Sequence, residues 1–160
     1  MNKKSVITQI IVALEKSLED TLNAANQARQ TATHKESVAK TKYDTFGLEA
    51  SYLAHGQFKR VAELEEAVES FKNMSITEFD DDDEIVVTAL VSLESEQGDV
   101  RTLFIGPFGG GLKVECDSLE VIVITADAPL GRKLLGKGVG DEISFSVDNQ
   151  VKCFEIVNVL

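Results

Sequence analysis

The chain has 160 residues, 43% of them hydrophobic, with 16 lysines and arginines against 27 aspartates and glutamates, a net charge of −11. That is enough apolar material for one or two folded domains. No run approaches the roughly 18 consecutive apolar residues of a membrane span, and Met1, Asn2, Lys3 and Lys4 lead into a polar-interrupted helix rather than a signal peptide, so a soluble, cytoplasmic protein with no membrane partner is expected.

The charge is divided unevenly along the chain. Residues 1–75 carry ten basic and ten acidic side chains, whereas residues 76–160 carry six against seventeen, so the whole net charge falls on the second part. An acidic body repels phosphate backbones, which argues against independent DNA binding, because non-specific nucleic-acid affinity rests on counterion release by clustered cations. One basic island stands apart: Arg29, His34, Lys35, Lys40 and Lys42, set against Glu36 and Asp44.

In the first part, Ile7, Ile11, Leu14, Leu18, Thr21, Ala25, Ala28 and Ala32 recur at alternating spacings of four and three, a heptad seam. A second seam runs through Gly47, Ala50, Ala54, Gln57, Val61, Leu64, Val68 and Phe71. Both lie in proline-free segments rich in good helix formers. An antiparallel pair must match residues whose numbers sum to a constant, and Ile7 with Phe71, Leu14 with Leu64, Ala25 with Ala54 and Ala28 with Ala50 all sum to 78 or 79. Large side chains therefore face large ones at the open end, and alanine or glycine faces alanine toward the turn. Heptads also build dimers, but this matched taper favours a hairpin within one chain, and a monomer is expected. Arms of about 26 residues reach roughly 39 Å, displaying the basic island at a tip between about Thr33 and Tyr43. Asp44 or Thr45 can cap the second helix.

Glu78 to Glu84, with four consecutive aspartates, reads as an acidic linker, giving an organisation of hairpin 1–75, linker 76–84 and β-rich domain 85–160. The aspartate run lacks the glycine and spaced ligands of a calcium loop, so no metal is assigned to it. Strands are expected over 85–93, 101–105, 119–125, 142–147 and 151–159 in a mostly antiparallel sheet. A short helix is expected over 129–135, started by Pro129 and stopped by Gly136 in a left-handed cap. Gly109, Gly110 and Gly111 precede no Gly-Lys-Ser/Thr and no long helix, so they read as a flexible connection rather than a phosphate loop. Cys116 and Cys153 lack metal-ligand or redox spacing and read as inert strand residues. His34 and His55 are read as ordinary surface or flanking residues.

The segment Ala128 to Ile143, APLGRKLLGKGVGDEI, followed by a final strand pair, resembles the C-terminal signature of bacterial Gre transcription elongation factors, departing at Ala128 where that family usually has serine. The resemblance implies an α+β protein: an N-terminal antiparallel coiled-coil hairpin joined to an FKBP-like β-rich domain. It also implies a partner, RNA polymerase, with the hairpin inserting into the secondary channel and its tip reaching RNA at the active centre. In cleavage-promoting members an Asp-x-x-Glu pair at the tip helps hold a magnesium ion of the polymerase, and no cofactor of the factor's own is implied. Here Glu36 matches the glutamate, but Thr33 stands where the aspartate would be. Lys35, Lys40 and Lys42 would repel a metal.

The expected function is therefore a non-enzymatic factor that modulates elongation, pausing or initiation, without standard transcript-cleavage stimulation. His34, Lys35, Glu36, Lys40 and Lys42 would contact the channel, and Pro129, Leu130 and Arg132 would shape the docking surface. The alternative is a cleavage factor relying on Glu36 alone to support the polymerase's own hydrolysis. A more remote alternative is an FKBP-like prolyl isomerase or chaperone, for which the region from Ile76 offers Phe79, Phe104, Phe108, Phe145 and Phe154 but no Tyr or Trp.

Overall fold

The computed structural model describes residues 2–33, 46–80, 83–147 and 150–160. The order is α1 (Lys3–Thr33), α2 (Phe46–Lys72), β1 (Leu90–Ser95), β2 (Val100–Gly106), β3 (Lys113–Cys116), β4 (Leu119–Thr125), α3 (Pro129–Leu134), β5 (Glu142–Val147) and β6 (Gln150–Val159). This is the expected α+β fold, a helical hairpin followed by one six-stranded sheet. Two compact units divide it: Val12–Glu69, and Met1–Ile11 together with Ser70–Leu160.

Asn2 starts α1, its side-chain oxygen accepting from the Lys4 backbone N–H at 2.9 Å, one of the orphan donors of a helix start. Within the Val12–Glu69 unit much of the two seams is buried, Leu14, Ala25 and Ala28 on α1 and Ala54, Val61, Leu64 and Val68 on α2, while Leu18, Thr21 and Gln57 are half-buried. Thr21, a polar residue on the seam, donates its hydroxyl back to the Ser17 carbonyl at 2.7 Å, so it brings no unsatisfied group into the half-buried interface. Asp44 and Thr45, the expected caps of α2, lie outside the described residues.

The sheet runs in the order β3-β4-β2-β1-β6-β5. All neighbours are antiparallel except β2 with β4, which are parallel. One face packs around Val91, Leu103, Ile105, Phe154 and Ile156, closed by Leu134 of α3, with Phe145 stacked on Phe154 at 4.7 Å between ring centroids. The other face carries the cross-strand pair Leu90 and Phe104, and Phe71 packs on Phe104 at 6.2 Å. A single sheet thus has apolar cover on both sides, which lets one short chain bury several whole aromatic rings.

Three expectations need correction. The strand expected from Ile85 begins only at Leu90. Ile85 and Ala89 are fully buried, but Thr88 has φ of 84° and Ala89 N–H closes a turn on Val86, so buried apolar spacing here belongs to a turn. The connection between the second and third expected strands contains a further strand, β3, paired with β4 through Asp117 and Ser118, both at positive φ (53° and 64°), as a two-residue hairpin turn requires. The glycines before it form a hydrogen-bonded turn: Leu112 N–H reaches Gly109 O at 2.9 Å and Gly111 N–H reaches Val123 O at 2.8 Å.

Candidate functional site

The expected site residues fall into two groups. His34, Lys35, Glu36, Lys40 and Lys42 lie outside the described residues. Pro129, Leu130 and Arg132 lie together on α3, where their geometry can be followed.

β4 delivers the chain to this site. After Thr125 the chain turns, Ala128 N–H donating to Thr125 O at 3.1 Å, and α3 begins with Pro129 in its first turn, where a missing N–H costs nothing. Ala128 occupies the cap position with an extended backbone and no side-chain hydrogen bond, which is what the loss of a serine hydroxyl means here. Gly131 is held against the end of β4: a Cβ there would lie 2.1 Å from Thr125 O. Only glycine permits that approach.

After the helix, Gly136 takes φ of 76° and donates to Ile85 O at 2.9 Å, ending α3 in the expected left-handed turn. Gly138 N–H donates to Asp141 Oδ2 at 2.9 Å, and Gly140, at φ of 87°, donates to Ile156 O at 2.8 Å. Each of these signature residues thus performs a backbone task that locks α3 and its exit turn onto the sheet.

That locking sorts the three expected contact residues. Leu130 is half-buried and packs against the core, so its side chain chiefly holds α3 in place. Pro129 and Arg132 are exposed. Lys133, which the sequence reading passed over, donates from Nζ to the Ser144 carbonyl of β5 at 2.6 Å. The exposed face of α3 is therefore a rigid, mildly basic ledge on an otherwise acidic unit.

The acidity has its own pattern. Glu94 of β1 stands opposite Glu155 of β6, which stands opposite Glu142 of β5, giving a row of three like charges across the sheet. Directly opposed like charges destabilise a sheet slightly, so the fold tolerates this row rather than depends on it. At the β1–β2 turn, the Lys152 ammonium donates to Asp99 at 2.7 Å and holds that carboxyl below its usual range. Among the described residues no group of three or more His, Cys, Asp or Glu side chains is placed to hold a metal. No described helix is long and apolar enough to cross a membrane.

Of the magnesium-holding carboxylate pair that the resemblance raised, Glu36 lies outside the described residues. Thr33, at the position that the resemblance gives to the aspartate, donates its hydroxyl to Arg29 O at 3.0 Å within α1. A neutral side chain engaged with its own helix backbone supplies no anionic oxygen to a metal, so no step is derived through one.

Residues 80–160 match the family model described as transcription elongation factor, GreA/GreB, C-term. No curated protein matches. Among solved structures, the chain is similar to GreA factor homolog 1 (Gfh1) of Thermus thermophilus at 21% identity and TM-score 0.41, covering 94% of each chain. It is similar to Gfh1 of Thermus aquaticus at 22% identity and TM-score 0.40, covering 92% of this chain and 91% of that one. It is also similar to a GreA/GreB factor from Nitrosomonas europaea at 18% identity and TM-score 0.36, covering 69% of this chain and 91% of that one.

Proposed function

The chain belongs to the GreA/GreB family of transcription elongation factors, which act on RNA polymerase, and from that premise we propose that it occupies the polymerase secondary channel and modulates transcription without standard stimulation of RNA cleavage. The observation that carries this reading is Thr33: the position three residues before Glu36 bears a hydroxyl committed to Arg29 O instead of a carboxylate. Lys35, Lys40 and Lys42 add positive charge where a shared metal would need negative oxygens.

On this reading the protein is a cytoplasmic monomer. Its arm enters the channel, with His34, Lys35, Glu36, Lys40 and Lys42 facing polymerase or RNA, and Pro129 and Arg132 form part of the outer contact with Leu130 bracing them. Leu48, Tyr52 and Leu53 of α2 are large, exposed side chains close in sequence to the tip, and Tyr52 is 70% exposed. Such side chains gain most when a partner wall covers them. The modulated step is elongation, pausing or initiation.

The test is a pair of measurements on one preparation: binding to core RNA polymerase, and RNA cleavage in stalled, backtracked complexes with magnesium, with a cleavage-competent Gre factor as reference and competitor. Binding with displacement of the reference and no cleavage is the expected result. Cleavage at the reference level, abolished by Glu36→Gln, would overturn it and make Glu36 sufficient to support the polymerase's own hydrolysis. No binding would leave only the family fold.

A further inference from the structure

Between α2 and the sheet, residues 74–79 make no backbone–backbone hydrogen bond among the described residues. Two side chains tie this segment instead. Thr77 N–H donates to Thr88 Oγ1 at 3.3 Å, and Thr77 O accepts from Lys3 Nζ, which also lies 4.3 Å from the centroid of the Phe79 ring. Phe79 is half-buried and packs against the sheet core. Residues 76–79 line a cavity of about 490 Å³ together with Lys3 and Leu160.

Thr88 is itself strained. It is the third residue of a turn closed by Ala89 N–H on Val86 O at 3.1 Å, and its φ of 84° lies in the left-handed region, where a β-branched side chain is an outlier. Glycine would fit that place without strain. What threonine adds is a hydroxyl oxygen, and that oxygen takes the Thr77 N–H. Thr88 N–H donates to Ile105 O at 2.8 Å, so the turn that carries the oxygen is anchored to β2 and not to the segment it holds.

We propose that residues 74–79 are a strap that opens and recloses while the sheet stays folded, with Thr88 and Lys3 as its two latches. A segment without backbone pairing gives up little on opening: two hydrogen bonds, the contact of the Lys3 ammonium with the Phe79 ring, and the half-buried faces of Ile76 and Phe79. Strand β1, by contrast, is paired on both sides, with β2 and with β6. The strap therefore leaves before the sheet does. Its departure frees the start of α1 from Thr77 and removes one wall of the cavity.

Hydrogen exchange of the intact protein, followed by NMR at the Thr77 and Ile105 amides in water and in low urea, tests this. Ile105 N–H donates to Ala89 O at 2.8 Å inside the sheet unit. Thr77 is expected to be protected roughly a hundredfold less than Ile105, and its rate to stay nearly constant in urea that speeds exchange at Ile105. Thr88→Ala and Thr88→Ser impose the same backbone and differ only in the hydroxyl, so Thr77 is expected to exchange roughly fivefold faster in the alanine variant. Lys3→Met leaves the turn untouched and is expected to speed Thr77 by a similar factor. One shared rate and urea dependence for Thr77 and Ile105 would overturn the proposal, as would equal Thr77 exchange in the two Thr88 variants or no change in Lys3→Met.

Discussion

The helical arm and the sheet unit bury side chains of different kinds and are sensitive to different errors. In the arm, Ala25, Ala28 and Ala54 are buried, and the helices are shaped by the absence of bulk. In the sheet unit, Phe104, Phe154, Ile105 and Leu134 are fully buried, while single backbone positions such as Gly131 and Gly136 decide whether those side chains can meet. The arm's burial follows a simple repeat, so its tolerance is a matter of size. The sheet unit is specified by a few points at which no other residue fits.

The largest test of that contrast is Gly131→Ala. A methyl group 2.1 Å from Thr125 O cannot be accommodated without moving α3 from β4. A loss of about 3 kcal/mol or more is expected, read as a lowered denaturant midpoint. Next comes Ala25→Leu in the arm, where three added carbons must find room at a fully buried site. Its expected cost is about 1–3 kcal/mol, seen by circular dichroism as earlier loss of helix. If Ala25→Leu proved the costlier change, the contrast would be reversed.

Ala128→Ser sharpens the comparison in the opposite direction. It returns a hydroxyl acceptor to the uncapped start of α3 and is expected to stabilise the sheet unit by about 1 kcal/mol, raising Tm by a few degrees. The smallest effect concerns pH. Partial burial pushes the Lys3 ammonium down from its ordinary 10.5 to about 8, against the pull of the Glu78 carboxylate, so between those values the unfolded chain holds a proton that the fold has released. Stability contributed at Lys3 therefore rises as pH increases from 8 to 10.5, and Lys3→Met should flatten the urea midpoint over that window.

The sequence made the periodic features legible. Leu14, Ala25, Ala28, Ala54, Val61, Leu64 and Val68 are buried where the threes and fours place them, because one helix face meets one neighbour, whereas Ile11 on the seam is half-buried and Ile10 beside it fully buried. β4 and β5 have the expected limits, since each is bounded by turn formers that end pairing abruptly. β3 escaped because four residues, Lys113 to Cys116, show only two alternations, and Asp117-Ser118 is a weaker hairpin signal than Asn-Gly. Ile85 and Ala89 are apolar because they are buried in a turn, and apolar spacing alone does not separate that from strand pairing. At the site, the signature made Pro129 and Gly136 legible as helix start and stop. The inward packing of Leu130 and the Lys133 contact depend on how α3 lies across β5, a tertiary relation with no local period.

That Lys133 contact bears on how the protein behaves among many copies of itself. β5 is the last strand of an open sheet, and an outermost strand offers unpaired backbone groups to any extended chain that drifts past. By filling the Ser144 acceptor with the Lys133 ammonium, α3 places a charge and a bulky stem across the middle of that border. A passing strand would have to dislodge the lysine before it could zip on. The helix that carries the family signature thus also discourages the sheet from growing into fibres at high concentration.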